Sequence, residues 1–112
     1  MLDWLKAKQA ADGPAIRDGL SGYEGVLAIG TEAAEWWADA GPFAEAHTAG
    51  GGFTAAIEHV EAHAHGSVAW AAARATVATD DPGGMAVRLT LVLVREDGGR
   101  WRVVHSHASV PD

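Results

Sequence analysis

Hydrophobic and polar positions divide this chain into two halves of different period. The first half shows helical spacing between frequent breaks, and the second alternates at the period of strands. Leu2, Leu5 and the stem of Gln9 share one face of a short helix, with Lys6 and Lys8 off it. Asp12-Gly13-Pro14 ends that helix and starts another, since proline fits a first helical turn and aspartate can cap it. Gly19, Ser21 and Gly22 stop the second helix, and Val26 to Ile29 is a strand-length apolar run closed by Gly30-Thr31. Thr31 is placed to cap a third helix, with Glu32 and Glu35 in its first turn and Trp36 and Trp37 further along. Gly41-Pro42 interrupts that helix, and Phe43 to His47 adds a turn or two before Gly50-Gly51-Gly52.

Phe53 to His65, Val68 to Thr79, Met85 to Glu96 and Arg100 to Val110 then read as four strands. Gly66-Ser67, Asp80-Asp81-Pro82-Gly83-Gly84 and Asp97-Gly98-Gly99 join them as antiparallel neighbours. Helices followed by a meander predict one α+β domain over residues 1–112, with the helices packed on one sheet face.

Alternation sorts each strand into two faces. Val87, Leu89, Leu91 and Leu93 fall with Ala69, Ala71, Ala73, Ala75 and Val77, and with Val60, Ala62 and Ala64. Val104, Ser106 and Ala108 complete this inward set, and Glu58 has inward parity too. Trp70, Arg74, Arg88, Thr90, Trp101, His105 and His107 fall on the outer face, as do His59, Glu61, His63 and His65. Trp and Arg are typical of interfaces rather than of solvated sheet faces, so this outer face is expected to pair a homodimer about a two-fold axis. The assignment holds if no bulge resets the alternation.

Charge and composition narrow the function classes. Eight Lys and Arg against fifteen Asp and Glu give −7, which excludes general affinity for nucleic acid or anionic membranes. There is no cysteine, hence no disulfide, thiolate metal site or cysteine nucleophile. The stretch Met1 to Ala11 lacks the apolar core of a secretion signal, and a cytoplasmic protein is expected.

The segments Gly66-Ser67-Val68-Ala69-Trp70 to Arg74, Arg88-Leu89-Thr90, and Glu96 to Gly99 leading to Trp101 through Ser109 resemble the SnoaL-like branch of the NTF2-like superfamily. Glu24 to Thr31 followed by Glu35-Trp36-Trp37 is similar to the same branch, and the last strand also resembles the association domain of calcium/calmodulin-dependent kinase II. The resemblance spans about residues 12 to 111, through the order and spacing of individually weak motifs. It implies a cone: N-terminal helices on a curved, mainly antiparallel sheet around an internal pocket, commonly as a dimer. It implies no single activity, because relatives include isomerases, cyclases, hydrolases, dehydratases and non-catalytic modules.

Isomerases and cyclases of this fold place a carboxylate base inside the cone, and such a base needs an apolar site to raise its pKa. The inward lists here are almost wholly aliphatic, so no acid–base pair is evident and catalysis stays open. Tyr23, Glu35, Trp36, Trp37, Ala73, Leu91, Val104 and Ser106 are the expected pocket residues, for a small hydrophobic molecule and without a cofactor. Glu35 also has a plain reading as a helix-dipole residue, and one of the two tryptophans as core. The alternative is a dimerisation or interaction module whose cone is filled by its own side chains. A third reading takes His63-Ala64-His65 and His105-Ser106-His107 as metal ligands. A simple meander puts two strands between these pairs, about 10 to 15 Å, so no metal is expected.

Overall fold

The computed structural model describes residues 2–21, 25–31, 34–49 and 52–111. Helix α1 (Leu2–Gln9) and helix α2 (Gly13–Asp18) meet at Asp12, whose side chain accepts from the Ala15 N–H at 3.2 Å, with Pro14 in the first turn as predicted. Strand β1 (Leu27–Ile29) follows, then β2 (Trp36–Trp37) and helix α3 (Ala40–Ala49). The long strands are β3 (Ala55–His65), β4 (Val68–Val77), β5 (Met85–Arg95) and β6 (Trp101–Ser109). They form one six-stranded sheet in the order β2-β1-β6-β5-β4-β3, antiparallel except where β1 runs parallel to β6. Among the described residues no helix is long and apolar enough to cross a membrane.

Three local expectations are corrected. Trp36 and Trp37 lie on a strand rather than on a third helix, paired with Ile29 and Ala28. The Gly30 N–H donates to the Glu35 carbonyl at 2.8 Å, closing a hairpin that suits two aromatic β-formers better than a helix would. Glu35 therefore has no helix N-terminus to satisfy. Gly41-Pro42 does not interrupt a helix either; both sit in the first turn of α3, where proline's missing N–H costs nothing.

Two bulges supply the third correction. The β5–β6 register pairs Val92 with His105 but Leu93 with Val103, leaving Val104 as the extra residue. Directly paired residues share a face, so Val103 joins Leu93 inside and is 1% exposed. Trp101, paired with Arg95, follows Val103 rather than His105 and His107, and the Arg95 guanidinium lies 5.6 Å from its ring. On β3 the shift between Ile57 and His59 leaves Glu58 as the extra residue. Glu58 is exposed and accepts a hydrogen bond from Thr76 Oγ1 on the outer face, so its inward parity is lost.

Elsewhere the alternation holds. Ala73 pairs with Leu89 and Ala71 with Leu91 on the inner face, while Arg74 pairs with Arg88 and Trp70 with Val92 on the outer one. The helices cover the inner face. Ile16, Leu20, Val26, Leu91, Leu93 and Val103 are buried together at the β1–β6–β5 side. Trp4 stacks on Phe43 with ring centroids 5.8 Å apart, and its indole N–H donates to the Ile16 carbonyl at 3.0 Å, tying α1 to α2 and α3. Gly19 is required there, because a Cβ would overlap Trp4 Cδ1.

Candidate functional site

The inner face is not filled along its whole length. Where β4 and β5 carry Ala73, Ala75, Val77, Met85, Val87 and Leu89, the alanines leave the helices standing off the sheet. The result is a cavity of about 330 Å³. Ala55 and Ile57 of β3, Phe53 before it and Ala108 of β6 extend the apolar wall, and α1 with α3 forms the roof through Leu5 and Phe43. A smaller hollow of about 140 Å³ shares Glu35, Trp37, His47 and Phe53 with it.

Within these walls stands a small polar set: Lys8 and Gln9 from α1, Thr31 and Glu35 from the β1–β2 hairpin, His47 from α3 and Ser106 from β6. Lys8 is the unusual member. It is 8% exposed, and its ammonium lies 4.9 Å from the Trp4 ring centroid and 5.6 Å from that of Phe43. Burial disfavours the cation and pulls its pKa from 10.5 to about 8, against the opposing pull of the Glu35 carboxylate. Placing Lys8 off the apolar face is thus corrected. The readable signal is the i, i+3, i+4 spacing of Leu5, Lys8 and Gln9, all cavity residues, with Trp4 one turn before Lys8.

His47 complements it. Its Nδ1 lies 2.8 Å from the Phe43 carbonyl oxygen, which can only accept, so Nδ1 carries the proton and Nε2 keeps its lone pair. Burial lowers the imidazole pKa; the bond to Phe43 opposes this, the Lys8 charge adds to it, and Glu35 opposes it. The ring is accordingly neutral at pH 7, wedged between Phe43 at 4.1 Å and Trp37 at 5.4 Å between centroids. A neutral imidazole base, a cationic amine with a lowered pKa and a carboxylate share one apolar chamber, which is an arrangement suited to moving protons on an organic molecule.

Of the residues expected here, Glu35, Trp37, Ala73 and Ser106 line the cavity. Leu91 has the right parity but is 1% exposed within the packed core, and Val104 packs against that core as the bulge residue. Trp36 points away and is 63% exposed. Tyr23 lies outside the described residues. On the outer face Trp70, Arg74, Arg88, Thr90, His105 and His107 stand together by register, and Trp101 is separated from them. The two H-x-H pairs are on β3 and β6, with β4 and β5 between them.

The model of the SnoaL-like domain family matches residues 1–112. The curated proteins hold no significant match to the chain. Among solved structures, a candidate ketosteroid isomerase from Shewanella frigidimarina is 19% identical, with a TM-score of 0.80 over 96% of this chain and 89% of that one. A candidate calcium/calmodulin-dependent kinase II association domain from Thiobacillus denitrificans is also 19% identical, with a TM-score of 0.81 over 98% and 90%. A candidate dehydratase of the NTF2-like family from Streptomyces avermitilis is 14% identical, with a TM-score of 0.81 over 99% and 90%. Identities this low speak for the fold alone, an α+β NTF2-like cone whose sheet is not closed. Matched along its whole length, the chain belongs to the SnoaL-like domain family.

Proposed function

We propose that the protein binds a small, mainly apolar organic molecule in the cavity between the helices and β3–β6. The cavity itself carries this reading: about 330 Å³ walled by alanine, leucine, valine and aromatic side chains, with few polar groups. A cone serving only as a packing core would bring larger side chains than Ala73 and Ala75 to that wall. Lys8, Glu35 and His47 supply proton donors and acceptors, so any chemistry would be of the isomerase, dehydratase or cyclase kind. Neighbours named as a ketosteroid isomerase and a dehydratase agree with that class. Calorimetric titration with a neutral apolar probe, 4-tert-butylbenzyl alcohol, tests the reading. Saturable binding to one site per chain is expected, and no heat at millimolar probe would remove it.

The outer face supports a second reading, assembly as a homodimer. Trp70 is 46% exposed, stacked on His63 at 6.0 Å, beside a hollow lined by His59, Glu61, Arg74, Arg88 and Thr90. Arg74 and Arg88 are directly paired like charges, which is unfavourable unless a further partner intervenes. A second copy, bringing its own Glu61 and Trp70, would meet that need. Light scattering should give twice the 11.6 kDa chain mass. A monomer would end this reading.

A further inference from the structure

We propose that Lys8 is a nucleophilic amine that captures the carbonyl carbon of an apolar aldehyde or ketone in the cavity as an imine. This rests on the reading of the cavity as a site for small organic molecules, and it specifies the reactive group that such a molecule carries.

The placement of Lys8 argues for it. The side chain crosses from α1 into a chamber whose walls are hydrocarbon and aromatic, and its nitrogen sits over the faces of Trp4 and Phe43. An ion-pairing lysine would be expected nearer to solvent, where its charge is cheaply hydrated. The Glu35 carboxylate is already in the chamber and its charge bears on Lys8. An anionic ligand would bring a second negative charge beside it, which is unfavourable in an apolar site. A neutral carbonyl compound meets no such opposition. Burial, which holds the amine near pKa 8, also leaves an appreciable fraction as free base at neutral pH.

The chemistry balances with the groups present. The amine lone pair attacks the carbonyl carbon, a C–N bond forms, and the carbonyl π electrons pass to oxygen. Nitrogen gives up a proton, for which the chamber holds two acceptors, His47 Nε2 and the Glu35 carboxylate. The same proton passes to the alkoxide, giving a carbinolamine hydroxyl. Nitrogen's second proton then follows the same route to that hydroxyl, the C–O bond breaks, and oxygen leaves as water while the C=N bond forms. Amine plus carbonyl become imine plus water, with no change in oxidation state. The imine's carbon–nitrogen bond is an electron sink, so an adjacent C–H is acidified in a chamber that also holds a neutral imidazole.

The test uses the whole chain, which has just two lysines, Lys6 and Lys8. It is incubated at pH 7.5 with 4-tert-butylbenzaldehyde and cyanoborohydride, which reduces any imine to a stable amine. Peptide mapping then reads the site of label. Exposed Lys6 serves as internal control, and the N-terminal amine is resolved separately. Lys8 should label faster than Lys6 by about tenfold or more. Excess 4-tert-butylbenzyl alcohol should slow this, and unfolding in urea should erase the preference. Lys8→Arg should lose the label, whereas Lys6→Arg, at an exposed position outside the cavity, should keep it. Equal labelling of Lys6 and Lys8, or an unlabelled Lys8 in protein that binds the alcohol, overturns the imine and leaves the pocket. Failure of both alcohol binding and labelling overturns both.

Discussion

Lys8→Met should make the protein more stable at pH 7, by about 3 kcal/mol. The native amine has its pKa brought from 10.5 to about 8 by burial. Below pH 8 both native and unfolded states hold the proton, and the native state bears the full cost of keeping the cation in an apolar site. Between pH 8 and 10.5 the unfolded chain binds more protons than the native one, so stability rises with pH across that window. Above it the native amine is neutral and the cost has gone. Methionine keeps an unbranched apolar stem of similar reach with no charge to bury. The gap between variant and wild type, measured by urea unfolding, should therefore be widest at pH 7 and close towards pH 10.5. A variant less stable at neutral pH, or a gap independent of pH, would contradict the desolvated state of Lys8. Glu35 and His47 face the same cavity, so the titration is followed as a difference between the two proteins.

Ala73→Phe should weaken binding of 4-tert-butylbenzyl alcohol by about a hundredfold while preserving the fold. Ala73 is 6% exposed on the cavity wall, in register with Leu89, and a phenyl ring there projects into existing space. Overpacking, which ordinarily costs about 1–3 kcal/mol, is relieved by that space. Ala75→Phe, two residues along the same face, should act the same way. Calorimetry reads the affinity, and circular dichroism with thermal melting checks the fold. Undiminished affinity in both folded variants would place the ligand elsewhere.

These expectations depend on residues that the sequence reveals unevenly. Strand alternation separated Ala73 and Leu89 from Arg74 and Arg88, because turns at Gly66, Gly84 and Gly98 pin the register of the last four strands. Parity names a face but not its depth. Leu91 and Ala73 share the inner face, yet one is packed core and the other cavity wall, a difference set by how far α1 and α3 stand from the sheet. The hairpin at Trp36 and Trp37 escaped because Thr31 and the two glutamates mimic a helix start, while pairing with β1 decides the outcome. Lys8 escaped because charge suggests solvent, although its spacing from Trp4 and Leu5 places it on the buried side. Bulges leave no mark in composition, so the face of Trp101 could not be read from alternation alone.

The bulge at Val104 has a consequence for how this chain can change length. It is the single residue that lets Val103 face the core while His105 and His107 face outward. Deleting it would force one end of β6 to turn inside out, either exposing Val103 or driving imidazoles into the hydrocarbon. Glu58 does the same for β3, between Ile57 on the cavity wall and His59 outside. Single-residue insertions and deletions at these two points therefore act as inversions of a strand rather than as adjustments of length. The longer turns at 78–84 and 96–100 can take extra residues outside the paired strands, so length variation between viable relatives should accumulate there and spare both bulges.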